Sequence, residues 1–431
     1  MDAHSRRVFL GGAAALADLA AKARAAYTPP GNRIRIGIIG TGGIGKVDLA
    51  TFLANPEVEC VVVCDVDDAH LADGVKLVEK LRDKRPDAVK DFRRVIERKD
   101  VDVVLVTTPD HWHALPTIYA VQAGKDVYCE KPLATSIAES RAMVDAARRN
   151  HRVVQMGTQW RSGRHYGEAI EMVQSGRLGK IRQVRAWACL DWLGGIGNPP
   201  DGDVPAGVDY DMWLGPAPER PFNPNRFHFN FRWFWDYAGG LMTDWGVHLI
   251  NLALWGMGPA PPKTVASTGG KWALDDASET PDTQITVYEF PTYTLLWEHQ
   301  IQGGVGIGGR PHGLAFSGLD GTLIVDQDGW EVIPEPKKKG LRPYLRKTDP
   351  NDRNSDGRLA HVRNFLECVR TRRQPVTNIE VGHFVTTVSL LGNVALRSGS
   401  KIVWDAEKER VTNDPKADAL TGRQYRRPWS L

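Results

Sequence analysis

Three groups of residues in the 431-residue chain have the types and spacing to do chemistry. The first is Gly40-Thr41-Gly42-Gly43-Ile44-Gly45, a G-x-G-x-x-G between an apolar run at 34–40 and a helical pattern over 45–54. Its first glycine permits a tight turn, the second lets backbone approach a pyrophosphate, and the third lets helix and strand pack closely. The helix start then offers unpaired N–H groups and a positive dipole end to phosphates. Glycine-rich turns are common, so the context decides. A second apolar run, Cys60-Val61-Val62-Val63-Cys64, ends at Asp65, 20 residues after Gly45, where a carboxylate can accept both hydroxyls of a ribose. The plainer alternative is a turn residue at a strand end. The next residues are Val66, Asp67 and Asp68, with no arginine to hold a 2′-phosphate, so NAD is expected ahead of NADP.

The second group is a polar stripe in "GGLMTDWGVHLINLALWGM", 239–257, which from Leu241 reads as one helix, apolar nearly all round and therefore buried. Asp244, His248 and Asn251 fall within an arc of ~60° at about 100° per residue. A carboxylate and an imidazole buried without partners cost several kcal/mol. Either the two satisfy each other inside a core, or the stripe faces a polar cleft. The third group lies at 222–237, where Phe222, Phe227, Phe229, Phe231, Trp233, Phe234, Trp235 and Tyr237 are interleaved with Arg226, His228 and Arg232. Aromatic faces beside hydrogen-bonding side chains suit a polyhydroxylated ligand, which makes His228, Arg232 and Trp233 substrate candidates; a core or oligomer interface uses the same composition.

Strands and helices must position these groups. Val101–Val106 runs into Thr107-Thr108-Pro109, with His113 beyond, and Asp126–Cys129 runs into Glu130-Lys131-Pro132. Alternating strand and helix patterns predict a doubly wound parallel sheet, with ligands gathered at the carboxyl ends of its strands. A lysine held there beside a proline is placed to stabilise a developing alkoxide, although a solvated loop lysine has the same local sequence. From about 153 the pattern changes to strand candidates at 181–192, 263–273, 283–290, 293–301, 314–325 and 329–333, which imply a large, open, mostly antiparallel sheet in an α+β domain. Residues 194–209 and 335–357 read as excursions or loops. "GGVGIGGRPHG", 303–313, imitates a phosphate loop but no helix follows, so it is read as a hairpin connection.

The N-terminus reads differently. Ser5-Arg6-Arg7-Val8-Phe9-Leu10, an Ala/Gly/Leu-rich segment and Ala23-Arg24-Ala25 predict a twin-arginine export signal over 1–25. Its apolar part is short and interrupted by Asp18 and Lys22, so no membrane-spanning helix is expected. Removing 1–25 takes away four of 55 basic and two of 52 acidic side chains and leaves the remainder within one charge of neutral, which gives no reason to invoke nucleic acid or anionic lipid. No C-x-x-C occurs, and Cys60 and Cys64 lie too far apart along one strand to be bridged. Cys60, Cys64, Cys129, Cys189 and Cys368 are expected as buried thiols, and no metal site is expected.

"GIIGTGGIG", "TTPDHWHA" and "AGKDVYCEKPLA" together resemble the Gfo/Idh/MocA oxidoreductases over nearly all of 33–404. The resemblance implies a Rossmann NAD domain over 33–152 and a substrate and oligomerisation domain over 153–431. It implies dinucleotide contacts from Gly40 to Gly45, Asp65, Thr107, Thr108, Pro109, His113, Glu130 and Lys131, with Lys131 between nicotinamide and substrate. It also implies that Asp244 and His248 are the Asp-x-x-x-His of the inositol-dehydrogenase branch, the histidine acting as base, and that Trp160 and Arg161 line the substrate cleft. A histidine that titrates near neutrality would take a hydroxyl proton in either direction, oriented by its carboxylate. The expected activity is hydride transfer between NAD and a secondary hydroxyl of a sugar, sugar derivative or cyclitol. Two rivals stand beside it: a redox-neutral NAD-dependent glycosidase, and a non-catalytic NAD-loaded sugar-binding protein. The relatives' open sheet implies a homo-oligomer. An exported protein has no pool to exchange cofactor with, so tightly held NAD is expected.

Overall fold

The computed structural model describes residues 33–191, 195–338, 340–349 and 356–431, so the expected export segment lies outside the described residues. Its first sheet has six strands: β1 (Ile34–Ile39), β2 (Val58–Cys64), β3 (Asp87–Val89), β4 (Val103–Val106), β5 (Asp126–Cys129) and β6 (Val154–Met156). They lie in the order β3-β2-β1-β4-β5-β6, and every pairing is parallel. Near-continuous apolar runs such as Val103–Val106 are what strands covered on both faces require. The covering helices are α1 (Gly43–Leu53), α2 (Asp68–Arg82), α3 (Phe92–Ile96), α4 (Ala114–Gln122) and α5 (Ile137–Arg149). The strand order reverses between β1 and β4, and the crevice beyond their carboxyl ends is where an open parallel sheet binds ligands.

The second sheet has ten strands: β7 (Gln183–Leu190), β8 (Thr264–Gly270), β9 (Thr283–Glu289), β10 (Thr294–Ile301), β11 (His312–Ser317), β12 (Gly321–Asp326), β13 (Gly329–Pro334), β14 (Tyr344–Lys347), β15 (Ile402–Asp405) and β16 (Arg410–Val411). Only β7 and β10 pair in parallel. One face is packed by α6 (Arg164–Gln174), by α8 (Gly240–Asp244) and α9 (Gly246–Met257), and by the later α11 (Ile379–Ser398), while α7 (Tyr210–Leu214) caps the long excursion before them. On the opposite face Ile285, Val287 and Ile333 stay exposed. α11 is long and apolar enough to cross a membrane, but 78% of its apolar window is buried, between α5, α9 and β8.

Several sequence expectations are corrected. β10 and β11 flank β7, so 303–313 crosses over that strand and is not a hairpin connection. The hairpin lies inside 314–325, between β11 and β12. The charged stretch 335–357 contains the edge strand β14. The first sheet takes β6 from beyond residue 152, and α10 (Arg358–Thr371) returns to that domain, where Phe365 packs edge-on against Phe52 and Tyr128. The last helix is α12 (Pro415–Ala419). All five cysteines are free and buried, in strands and a helix as expected.

A Cβ at Gly45 would lie 2.2 Å from the carbonyl oxygen of Gly40, whereas one at Gly43 would meet nothing within 4 Å. Overpacking of this kind typically costs about 1–3 kcal/mol. Gly45→Ala should therefore lower the thermal unfolding midpoint while Gly43→Ala leaves it within experimental error; equal midpoints would show that helix and turn can separate freely.

Candidate active site

The glycine turn is held from β4. Gly40 has φ +92°, and the Thr107 hydroxyl donates to its carbonyl at 2.6 Å. Asp65 ends β2 beside the turn, where one carboxylate oxygen accepts the Thr41 amide at 2.7 Å and the other the Asp67 amide at 3.0 Å. α1 starts with no side-chain cap and no acidic residue in its first turn, and Gly43 presents bare backbone to open space. The Thr108 hydroxyl is buried without a partner. These features fit a dinucleotide, with phosphates on the helix start and ribose at Asp65.

Lys131, at the end of β5, reaches across to the second domain. Its Nζ donates to the Asp244 carboxylate and, at 3.0 Å, to the Asp244 backbone carbonyl. That carbonyl is free because the expected single helix is broken: α8 ends at Asp244, and the His248 amide bonds back to Trp245, at 3.1 Å, instead of to residue 244. Arg232 adds a guanidinium nitrogen 3.5 Å from the second carboxylate oxygen and stacks over Phe229 and Phe231. Burial resists ionisation of Asp244, but Lys131 and Arg232 outweigh it and hold this carboxyl well below the usual range.

His248 is brought to the same place without a hydrogen bond to Asp244. Its ring lies 4.8 Å from that of Trp160 and its Nδ1 is buried with no partner. Burial, reinforced by the Lys131 charge, pushes its pKa well below the ordinary value, so the imidazole is neutral at physiological pH. This corrects both the expected titration near neutrality and the expected carboxylate–imidazole pair. Trp160 is 4% exposed and walls the site, and Arg161 bonds Asn251 one turn along α9.

Other candidates land elsewhere. The Glu130 side chain turns inward beneath α1, where burial beside the Asp48 carboxylate raises its pKa strongly, and Gly157 leaves it room. Both ring nitrogens of His113 face backbone carbonyls, of Pro132 at 2.6 Å and Thr108 at 3.0 Å, so it clamps two strand ends together. Trp233 is buried and lines a small internal cavity with Ile196, Leu274 and Thr280. His228 sits at the ribose end, its Nε2 2.8 Å from Asp67. Around it the excursion 195–228 is tied across β2 by Asp68 N–H to Gly207 and Asp209 N–H to Val66.

Two residues escaped the sequence reading. Asp110 stood inside "TTPDHWHA", but only the fold places it beside Lys131, Arg232 and Asp244; burial pushes its carboxyl up to about 7 against the pull of the two cations. Arg358, at the start of α10, pairs with the fully buried Asp48 at 2.9 Å. Nothing local in the sequence marks a partner 310 residues away.

A doubly wound dinucleotide domain joined to an open mixed sheet, with lysine and aspartate meeting between them, defines a two-domain oxidoreductase. Residues 34–158 match the model of the oxidoreductase family with NAD-binding Rossmann fold, and 171–261 with 351–431 match its C-terminal alpha/beta domain. The chain belongs to the Gfo/Idh/MocA family. The alpha-N-acetylgalactosaminidase of Shewanella oneidensis is 28% identical over 152 residues, 34% of this chain and 33% of that protein. The levoglucosan dehydrogenase of Pseudarthrobacter phenanthrenivorans is 28% identical over 174 residues, 38% of this chain and 43% of that protein. The chain thus matches these curated relatives over less than half of their length. In fold it is similar to levoglucosan dehydrogenase in complex with NADH and levoglucosan (TM-score 0.66, 19% identity, 86% of this chain and 99% of that one). It is likewise similar to the aldose-aldose oxidoreductase of Caulobacter crescentus (0.63, 22%, 86% and 99%).

Asp110 gives a pH test. Its folded value stands above the ~3.9 of an unfolded aspartate, so the folded state holds its proton longer and this group lowers stability as pH rises from about 4 to 7. The difference in unfolding midpoint, Asp110→Asn minus wild type, should therefore grow in favour of the variant over that interval. A difference that stays flat would show that Asp110 titrates normally.

Proposed function

We propose that this protein is a NAD-dependent oxidoreductase acting on a secondary hydroxyl of a sugar, sugar derivative or cyclitol. The observation that carries the reading is the convergence of Lys131, its partner Asp244 and a buried, uncharged His248 at the carboxyl ends of the parallel strands. Bound at the glycine turn, NAD supplies the acceptor for hydride. His248, uncharged and with an unpartnered ring nitrogen, takes the hydroxyl proton. Lys131 holds the hydroxyl oxygen as negative charge develops, and Asp244, kept ionised, fixes the ammonium in place. Asp65 and the acidic residues after it favour a ribose with free hydroxyls, hence NAD. His248→Ala should lower turnover roughly 10²–10⁴-fold with bound NAD unchanged. Normal turnover by a folded, NAD-loaded variant would make His248 a core residue.

A redox-neutral course is favoured by two observations. Relatives bear the name glycosyl hydrolase family 109, and the excursion 195–228 lies tied across the ribose end of the cofactor crevice, where it would slow exchange. With NAD bound, transient oxidation of a sugar carbon would acidify the neighbouring C–H, so that the leaving group departs, water adds in its place and the carbonyl is reduced again. The twin-arginine pattern of 1–25 supports export of the folded, loaded protein to an extracytoplasmic space, and the uncovered face of the large sheet supports a homo-oligomer. Retention of Lys131, Asp244 and His248 together argues against a purely sugar-binding role. Protein purified without its signal and then denatured should release close to one NAD per chain, because a small off-rate is what tight holding requires. Empty protein that needs added NAD and accumulates stoichiometric NADH would mark a conventional dehydrogenase.

A further inference from the structure

Around the cleft, cations come with carboxylates. Lys131 and Arg232 share Asp244, and Arg358 has Asp48. Arg161 is the exception. Its Nη1 donates at 3.0 Å to the neutral amide oxygen of Asn251, its guanidinium carbon lies 5.2 Å over the Trp255 ring, and among the described residues no carboxylate pairs with it. Burial alone, with no compensating charge, brings its pKa down to about 10. A guanidinium carries five N–H groups, and one is used here. Desolvating a cation without a counter-charge is costly, and an anion bound beside Arg161 would offset that cost.

The position says which ligand atoms come near. Asn251, which holds Arg161, stands three residues after His248 on α9, and Trp255, under the guanidinium, four further on, so Arg161 lies along the helix face that carries the ring assigned as base. Trp160, next in the chain, stacks on His248 and, 6.0 Å away, on His312, whose Nε2 is buried and unpartnered. Unmet donors and acceptors thus surround one aromatic wall. The contact with the Trp255 ring steadies the guanidinium, and a planar fork of N–H donors matches a carboxylate bidentately.

We infer that the substrate is an acidic sugar or polyhydroxy acid whose carboxylate is bound by Arg161 while a hydroxyl of the same molecule faces His248; this rests on the oxidoreductase reading above. The test is calorimetric titration of the NAD-loaded protein with glucuronate, galacturonate and mannuronate, each beside its neutral aldose, and with glucose 6-sulfate and glucose 6-phosphate. At least one uronate should bind tenfold or more tightly than its neutral counterpart. Arg161→Gln should reduce that preference to within about twofold, and Arg161→Lys should keep part of it, with NAD content unchanged in both as the sign of an intact fold. No acidic preference in the wild type, or one that survives Arg161→Gln, overturns the inference. Preference for the sulfate or phosphate ester over every uronate overturns the carboxylate assignment. Product analysis separates the two readings: a uronate bound through Arg161 but never oxidised sinks the oxidoreductase reading alone, and neutral sugars oxidised with no acidic preference sink this one alone.

Discussion

The contact between Lys131 and Asp244 joins two domains whose sheets share no strand, and much of the site is arranged around it. Asp244 offers the ammonium both its carboxylate and its backbone carbonyl. A carbonyl inside an α-helix normally accepts the amide four residues on, and here the His248 amide turns to Trp245 instead, leaving the Asp244 carbonyl to the ammonium. The interruption is confined to Trp245, and the next helix starts at Gly246 with His248 in its first turn. One interdomain ion pair thereby sets the position of the ring that faces the cleft.

The same pair divides protonation states among neighbouring groups. Asp244, beside two cations, is held well below the usual carboxylate range, while burial pushes the carboxyl of nearby Asp110 up to about 7. The ammonium that steadies Asp244 also discourages a positive charge on His248. Within one small volume there is a carboxylate held ionised, an uncharged imidazole and a second carboxyl raised toward neutrality. Environment has pushed like residues apart, which is how a site obtains an acid and a base from a limited set of side chains.

What could be read in the sequence follows the range of the forces involved. The glycine turn and the parallel strands answer to local rules, since residues 34–65 alone carry the apolar run, the turn, the helix and the acidic strand end. The large sheet was legible as a class from its strand-like runs, but its order was not: β7 sits between β10 and β11 because of pairings more than 100 residues apart. The helix break was invisible because the apolar pattern continues through 245 and the group that bonds the freed carbonyl is a lysine 113 residues earlier. The side-chain directions of Glu130, His113, Trp233 and His228 were illegible for a related reason. Being near the right strand end says where a backbone is, whereas the direction of the side chain depends on partners such as Asp48, Pro132 and Asp67.

The return of α10 to the first domain bears on how such a chain can be divided. Phe52 and Tyr128, both fully buried, are covered in part by Phe365, and among the described residues the Asp48 carboxylate finds its counter-charge only in Arg358. A fragment ending at 158 would leave an aromatic face and an uncompensated interior carboxylate facing water. The nucleotide half is therefore not a portable module. Its core is closed by a helix from the last quarter of the polypeptide, so the whole length between β6 and α10 must bring the chain back to the same spot.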